Sequence, residues 1–247
     1  MSKERLIKEQ ARQALKGNMT VLVAGFLMLV SAVLVFFYLP YFGAYLFNIV
    51  NASTDEIYSG KEIWYLLLSG TSMLIALFFT PLINGYMKLA TDSAIRGSCE
   101  MTGLFYYFSS PSKYFRTLVV NAGLACVFSV LTVPLVLAGR LLPDSVPEAA
   151  VSAALVVWQL LIYLFFIHYP LAAYALDDTR ALHYYIFGCI GFSFRYSGAL
   201  FKLIISMFGW VALCFFVLPA LYVVPYMTVT LMNSARWLFA MNHKIQD

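Results

Sequence analysis

"ALFKLIISMFGWVALCFFVLPALYVVPYMTVTLMNSARWLFAM", residues 199–241, holds no acidic residue and two basic ones, Lys202 near its start and Arg236 near its end. As one helix it would extend roughly 60 Å at 1.5 Å per residue, about twice the hydrocarbon core of a bilayer. It reads as two crossings joined by a tight turn, or as one crossing with a buried extension. The split falls best at residues 217–219. Segments 200–218 and 220–240 then each match one bilayer core, and Pro219 sits where a first helical turn tolerates proline. Pro225 is expected to kink the second helix, with a hydroxyl such as Thr228 answering the carbonyl it frees.

The whole chain shares this character. Of its 247 residues 62% are hydrophobic and 11% charged, and the mean hydropathy is +0.81. A soluble domain carries about 25% charged residues. The apolar excess must face lipid, so the sequence predicts an integral membrane protein with no separate soluble domain. Four further apolar runs, 19–39, 63–83, 117–138 and 149–172, are each long enough to span. The expected fold is all-α: a polytopic bundle of six transmembrane helices (residues 19–241), preceded by a short amphipathic helix (1–18) and followed by a cytoplasmic tail (242–247).

Charge sets the orientation. With six spans, fourteen of the sixteen Lys and Arg fall on one side and only Lys61 and Arg140 on the other. The positive-inside rule then places both termini in the cytoplasm. "MSKERLIKEQARQALKGN" reads as an amphipathic helix stopped at Gly17-Asn18. Leu6, Ile7, Ala11, Ala14 and Leu15 form its apolar face, and Lys3, Arg5, Lys8, Arg12 and Lys16 are candidate contacts for anionic headgroups. Tyr38, Tyr41, Tyr45, Trp64 and Tyr65 read as an outer interfacial belt, and Tyr106, Tyr107, Tyr114, Tyr184, Tyr185 and Trp237 as an inner one.

Chemistry-bearing patterns are sparse. Cys99, Cys126, Cys189 and Cys214 are widely spaced, with no metal or redox spacing. His168, His183 and His243 do not pair with acids. No acid falls in the central turns of a span, which argues against a carboxylate-driven transporter. Gln159 is the most polar side chain near a bilayer centre and reads as an interhelical contact, with Ser69, Thr71 and Ser72 as candidate partners. Asp177-Asp178 beside Arg180 reads as a solvated helix end rather than a catalytic pair. No catalytic residue, metal ligand or cofactor-binding residue is expected.

"ARQALKGN", "PLINGYMKLA", "GLFYYF" and "LFKLIISMFGW…PYMT" together resemble the bacterial integral membrane family called domain of unknown function 975. The resemblance covers most of the chain, and its best motif is Leu200-Phe201, Gly209-Trp210 and Pro225-Tyr226. It implies a six-span protein of a bacterial plasma membrane and no activity. Gly209 is expected to permit close helix approach, with Trp210 packed beside it. The expected function is that of a non-enzymatic component binding lipid or a partner through its basic cytoplasmic face. Its partners are then the bilayer, anionic inner-leaflet lipids and a membrane protein, with no nucleic acid. The alternative is a transporter or permeability factor for a small or lipophilic solute, with a hydrated cavity lined by Gln159, Thr71 and Thr228.

Overall fold

The computed structural model describes residues 3–46, 58–140, 148–213 and 217–246. All are helical or short connections, with eight α-helices among them. The first, α1 (Lys3–Leu46), is one rod of 44 residues, about 66 Å long. No helix end falls at Gly17-Asn18, so the expected separate amphipathic helix is instead the first third of α1. Gly17 is helical there and has open space where a Cβ would stand. Asn18 does not cap α1 but reaches sideways. Its Nδ2 donates to the carbonyls of Ala14 (2.8 Å) and Gly97 (2.9 Å), and its Oδ1 accepts from the Cys99 N–H (3.0 Å). One buried amide thus ties α1 to the exit of its neighbour.

That neighbour, α2 (Tyr58–Arg96), has 39 residues and runs antiparallel to α1. It ends at Gly97, whose φ of 70° closes the helix in the left-handed region that only glycine enters without cost. The chain then turns through a 3-10 segment (Met101–Phe108) laid across α2. Gly85 permits that crossing, because a Cβ there would lie 1.9 Å from the Leu104 carbonyl oxygen.

Helix α3 (Pro111–Arg140) leads to a second rod built from α4 (Glu148–Ile162), a π-helical turn (Tyr163–Ile167) and α5 (His168–Leu176). The wide turn lies just before Pro170, whose ring would otherwise meet the Phe166 carbonyl. After a loop and a second π turn (Tyr184–Gly188) comes α6 (Cys189–Ile205). The expected fifth span is not one helix. Ser206 Oγ bonds the Leu203 carbonyl at 2.6 Å, a side-chain bond that competes with helix continuation. The chain turns at Ser206-Met207 and resumes as α7 (Phe208–Leu213). The last helix, α8 (Val217–Gln246), starts where the split was expected and passes Pro225 and Met241 without ending. The Thr228 hydroxyl bonds Val224 (2.9 Å), not the Leu221 carbonyl that Pro225 frees.

Packing is concentrated at one end. Ala11, Leu15 and Leu22 of α1 bury against Leu82, Tyr86 and Leu89 of α2, and Leu203, Val229 and Met232 complete this core. A second cluster joins Tyr107, Val120, Leu124, Tyr174 and Tyr185. Each fully buried aliphatic side chain contributes about 1.5–3 kcal/mol. At the other end apolar side chains point outward, among them Val35, Phe42, Leu74, Val130, Leu137 and Val156. Three described helical stretches are long and apolar enough to cross a membrane: Glu4–Val35, Pro111–Gly139 and Ala149–Leu176. Only 17%, 11% and 6% of their most apolar windows are buried by the protein itself, and lipid is what covers such a surface stably. These candidate spans suggest a multi-pass membrane protein.

Candidate functional site

The packed end gathers the start of α1, the end of α2, the 3-10 segment, the end of α5 and the last third of α8. Lys8 Nζ donates to the Ser206 carbonyl (3.1 Å), Asn233 Nδ2 to the Ile7 carbonyl (3.3 Å) and Arg236 Nη1 to the Ala94 carbonyl (3.3 Å). Trp237 Nε1 and Asn233 Nδ2 both donate to Gln10 Oε1 at 3.1 Å. The first turns of α1 are therefore docked on α8 and the α6–α7 turn. On that side Ala11, Ala14 and Leu15 meet protein, whereas the sequence reading has this apolar face meet the headgroup layer.

This docking buries Ala11, Ala14 and Leu15 and turns the charges outward. Arg5, Arg12 and Lys16 are exposed. Arg5 pairs with Glu9 (3.3 Å), an exposed i,i+4 pair worth little. Among the described residues, Arg12, Lys16, Arg195 and Lys202 have no carboxylate within ion-pair distance. The side chain of Lys3 lies outside the described residues, as do those of Tyr41, Tyr45, Trp64, Tyr65, Ser69, Ser72, Cys214 and His243. Between the start of α1, the end of α6 and α8 runs a groove of about 530 Å³, within the range of small-ligand sites. Its walls include Leu203, Leu238 and Met241, and Lys202 stands at its rim. A more polar hollow of about 720 Å³ lies between the end of α2 and the 3-10 segment, lined by Lys88, Asp92, Arg96 and Tyr106. Cys99 also lines it, but burial pushes this thiol up to about 11, away from the reactive thiolate.

The expected inner belt is partly a core. Tyr107, Tyr174 and Tyr185 are fully buried. Tyr107 stacks on Tyr174 with centroids 5.3 Å apart and donates to its carbonyl. Tyr174 Oη and Thr117 Oγ1 bond at 2.9 Å. The Tyr107 hydroxyl on the Tyr174 carbonyl and Lys88, which donates to the Ala175 carbonyl (3.3 Å), satisfy two of the open carbonyls at the end of α5. Asp177 accepts from the N–H and hydroxyl of Thr179 and pairs with Arg180 at 3.1 Å. The Thr179 hydroxyl, with the Arg180 guanidinium, holds its carboxyl below the usual range. The Tyr185 hydroxyl donates to the Asp177 carbonyl, and Arg116 to the Arg180 carbonyl. These bonds fix the loop that follows α5.

No family model, curated protein or solved structure matches this chain. The geometry has to speak through individual residues. Among the described residues no group of three or more His, Cys, Asp or Glu could hold a metal ion. Gln159 and Thr71 are exposed rather than buried between helices, and neither hollow above is lined by Gln159, Thr71 or Thr228. Gly209 is exposed with open space around it, so it makes no close helix contact. Two members of its motif do meet: the Trp210 ring lies 5.6 Å from Tyr226, and 6.0 Å from the neighbouring Tyr222. His168 is buried, and its Nδ1 bonds the Tyr163 hydroxyl across the π turn at 3.2 Å. Sequence reasoning passed over the groove. The available signal was Lys202 itself, one of two charges in an otherwise apolar stretch of 43 residues, 199–241.

Proposed function

We propose that the chain is a non-enzymatic, multi-pass component of a bacterial plasma membrane that binds anionic lipid or a partner protein through a basic cytoplasmic face. Its six crossings are α1, α2, α3, the α4–α5 rod, a short passage through α7 and α8, with both termini inside; α6 runs across the packed end, from Phe192 on Phe239 to Leu203 beside Leu238. The observation that carries this reading is the set of exposed cations, Arg12, Lys16, Arg195 and Lys202, at the end where the elements pack, with no carboxylate partner among the described residues. Apolar helices with basic residues at one end favour the leaflet that carries anionic lipid. The contact of the start of α1 with the end of α8 supports an even number of crossings. Anionic lipid is favoured over a protein partner because one of these cations, Lys202, lines an apolar groove.

The test is lipid retention. The full chain is reconstituted in phosphatidylcholine nanodiscs containing phosphatidylglycerol, extracted in mild detergent, and its bound lipids are weighed by native mass spectrometry. Phosphatidylglycerol should be retained several-fold over its share of the mixture. The triple change Arg12→Gln, Lys16→Gln, Lys202→Gln should remove that preference, since each cation near an anionic surface is worth about 1 kcal/mol. Retention in proportion to the mixture, or a preference that survives the triple change, would contradict the reading.

A further inference from the structure

We infer that the groove between α1, α6 and α8 seats one acyl chain of an anionic phospholipid, with the phosphate at Lys202 and the second chain along the outer face of α6. This rests on the lipid-binding reading above and narrows it to one place. The groove walls formed by Leu6, Leu203, Leu238 and Met241 carry no hydrogen-bonding side chain, so a run of methylenes is their natural content. Trp237 directs its N–H away to Gln10, which leaves its ring as apolar wall. Glu4 is the one acid lining the groove. Against it stand Lys202 at the rim and Lys8, bonded to the Ser206 carbonyl next to it.

The outer face of α6 supplies the second half of the site. Phe187, Phe194 and Phe201 recur every seven residues, and Phe208 continues the series past the turn. They are 66%, 54%, 45% and 71% exposed, with Ile205 beside them at 57%. At 100° per residue Phe194, Phe201 and Ile205 share one stripe of α6, with Phe187 in the π turn before it and Phe208 past the break after it, while Ala199 and Leu203 share the groove side. Lys202 falls between the two faces. An anion at its ammonium therefore has an apolar surface on either hand. That arrangement fits a headgroup phosphate with two chains, and it does not fit a free anion, which would leave both apolar surfaces without a partner.

The full chain in phosphatidylcholine nanodiscs is given a small share of phosphatidylglycerol bearing a diazirine near the end of one acyl chain, then irradiated and mapped by peptide mass spectrometry. A parallel sample carries the same probe on phosphatidylcholine. Labelling by the phosphatidylglycerol probe should concentrate on the peptides holding Leu203 and Leu238, several-fold above the phosphatidylcholine probe. Lys202→Gln should lower it about fivefold, the loss of one surface charge interaction. Ala199→Trp, which fills the groove from an exposed position, should abolish groove labelling by both probes. Both variants change exposed residues, and size-exclusion profiles check that they fold. Equal labelling by the two probes, or labelling unchanged by both variants, overturns the inference. If phosphatidylglycerol is still retained while the groove stays unlabelled, this inference fails and the wider reading stands. If retention is also lost, both fail.

Discussion

Glycines separate packing from mere permissiveness at the residue scale. Gly85 sits where the 3-10 segment crosses α2, and any Cβ would meet a backbone oxygen that cannot rotate away. Gly209, in the motif that looked like a packing site, faces open space. Gly85→Ala should therefore cost at least about 3 kcal/mol, the upper range for overpacking, and collapse the monodisperse yield in detergent. Gly209→Ala should leave yield and melting unchanged. The reverse order would mean that the 3-10 crossing is misplaced. Sequence pattern could not rank these two positions. Both are glycines in apolar helices, and what distinguishes them is a chain segment twenty residues from one of them and no neighbour at the other. The same holds for Gln159, which looked like an interhelical contact by depth alone and turns out to face outward.

Helices as elements were far more legible. Apolar runs and the charges between them place the centres of α1, α2, α3, the α4–α5 rod and α8, because a charge-free apolar run of about twenty residues reads as a helix as long as a bilayer core is thick. Helix ends were less legible, since propensity yields to packing. Gly17-Asn18 has the composition of a stop, yet the helix runs through it because Ala14, Leu15 and Asn18 bury against α2 and its exit loop. This gives a prediction with a clear sign. In a continuous helix Gly17→Ala should stabilise by about 0.5–1 kcal/mol, by removing backbone freedom from the unfolded chain. Were Gly17 a left-handed cap, the same change would destabilise. Asn18→Leu should cost about 1–3 kcal/mol, for it strands the buried N–H of Cys99, and amide exchange at Cys99 should quicken. The break at Ser206-Met207 was likewise hidden: Ser206 bonds back to Leu203 there, but Ser197 makes the same bond to Phe194 within unbroken α6.

Over the whole molecule, the account sets an apolar, lipid-facing half against a packed half that carries the cations. Under the proposed six crossings, the sequence shows the asymmetry as fourteen basic residues against two. It does not show that the first turns of α1 dock on α8, that the tyrosines form a core, or that Lys202 stands between a groove and an aromatic stripe, because each depends on contacts between segments far apart in the chain. The central claim is that the packed, basic half faces the cytoplasm. The direct measurement is a pair of reporters, one active only inside the cell and one only outside, fused after Asp247 and, in separate chains, inserted at Asp144. The account predicts the inside reporter active after Asp247 and the outside reporter active at Asp144. An outside signal after Asp247, or the same side for both sites, would contradict it.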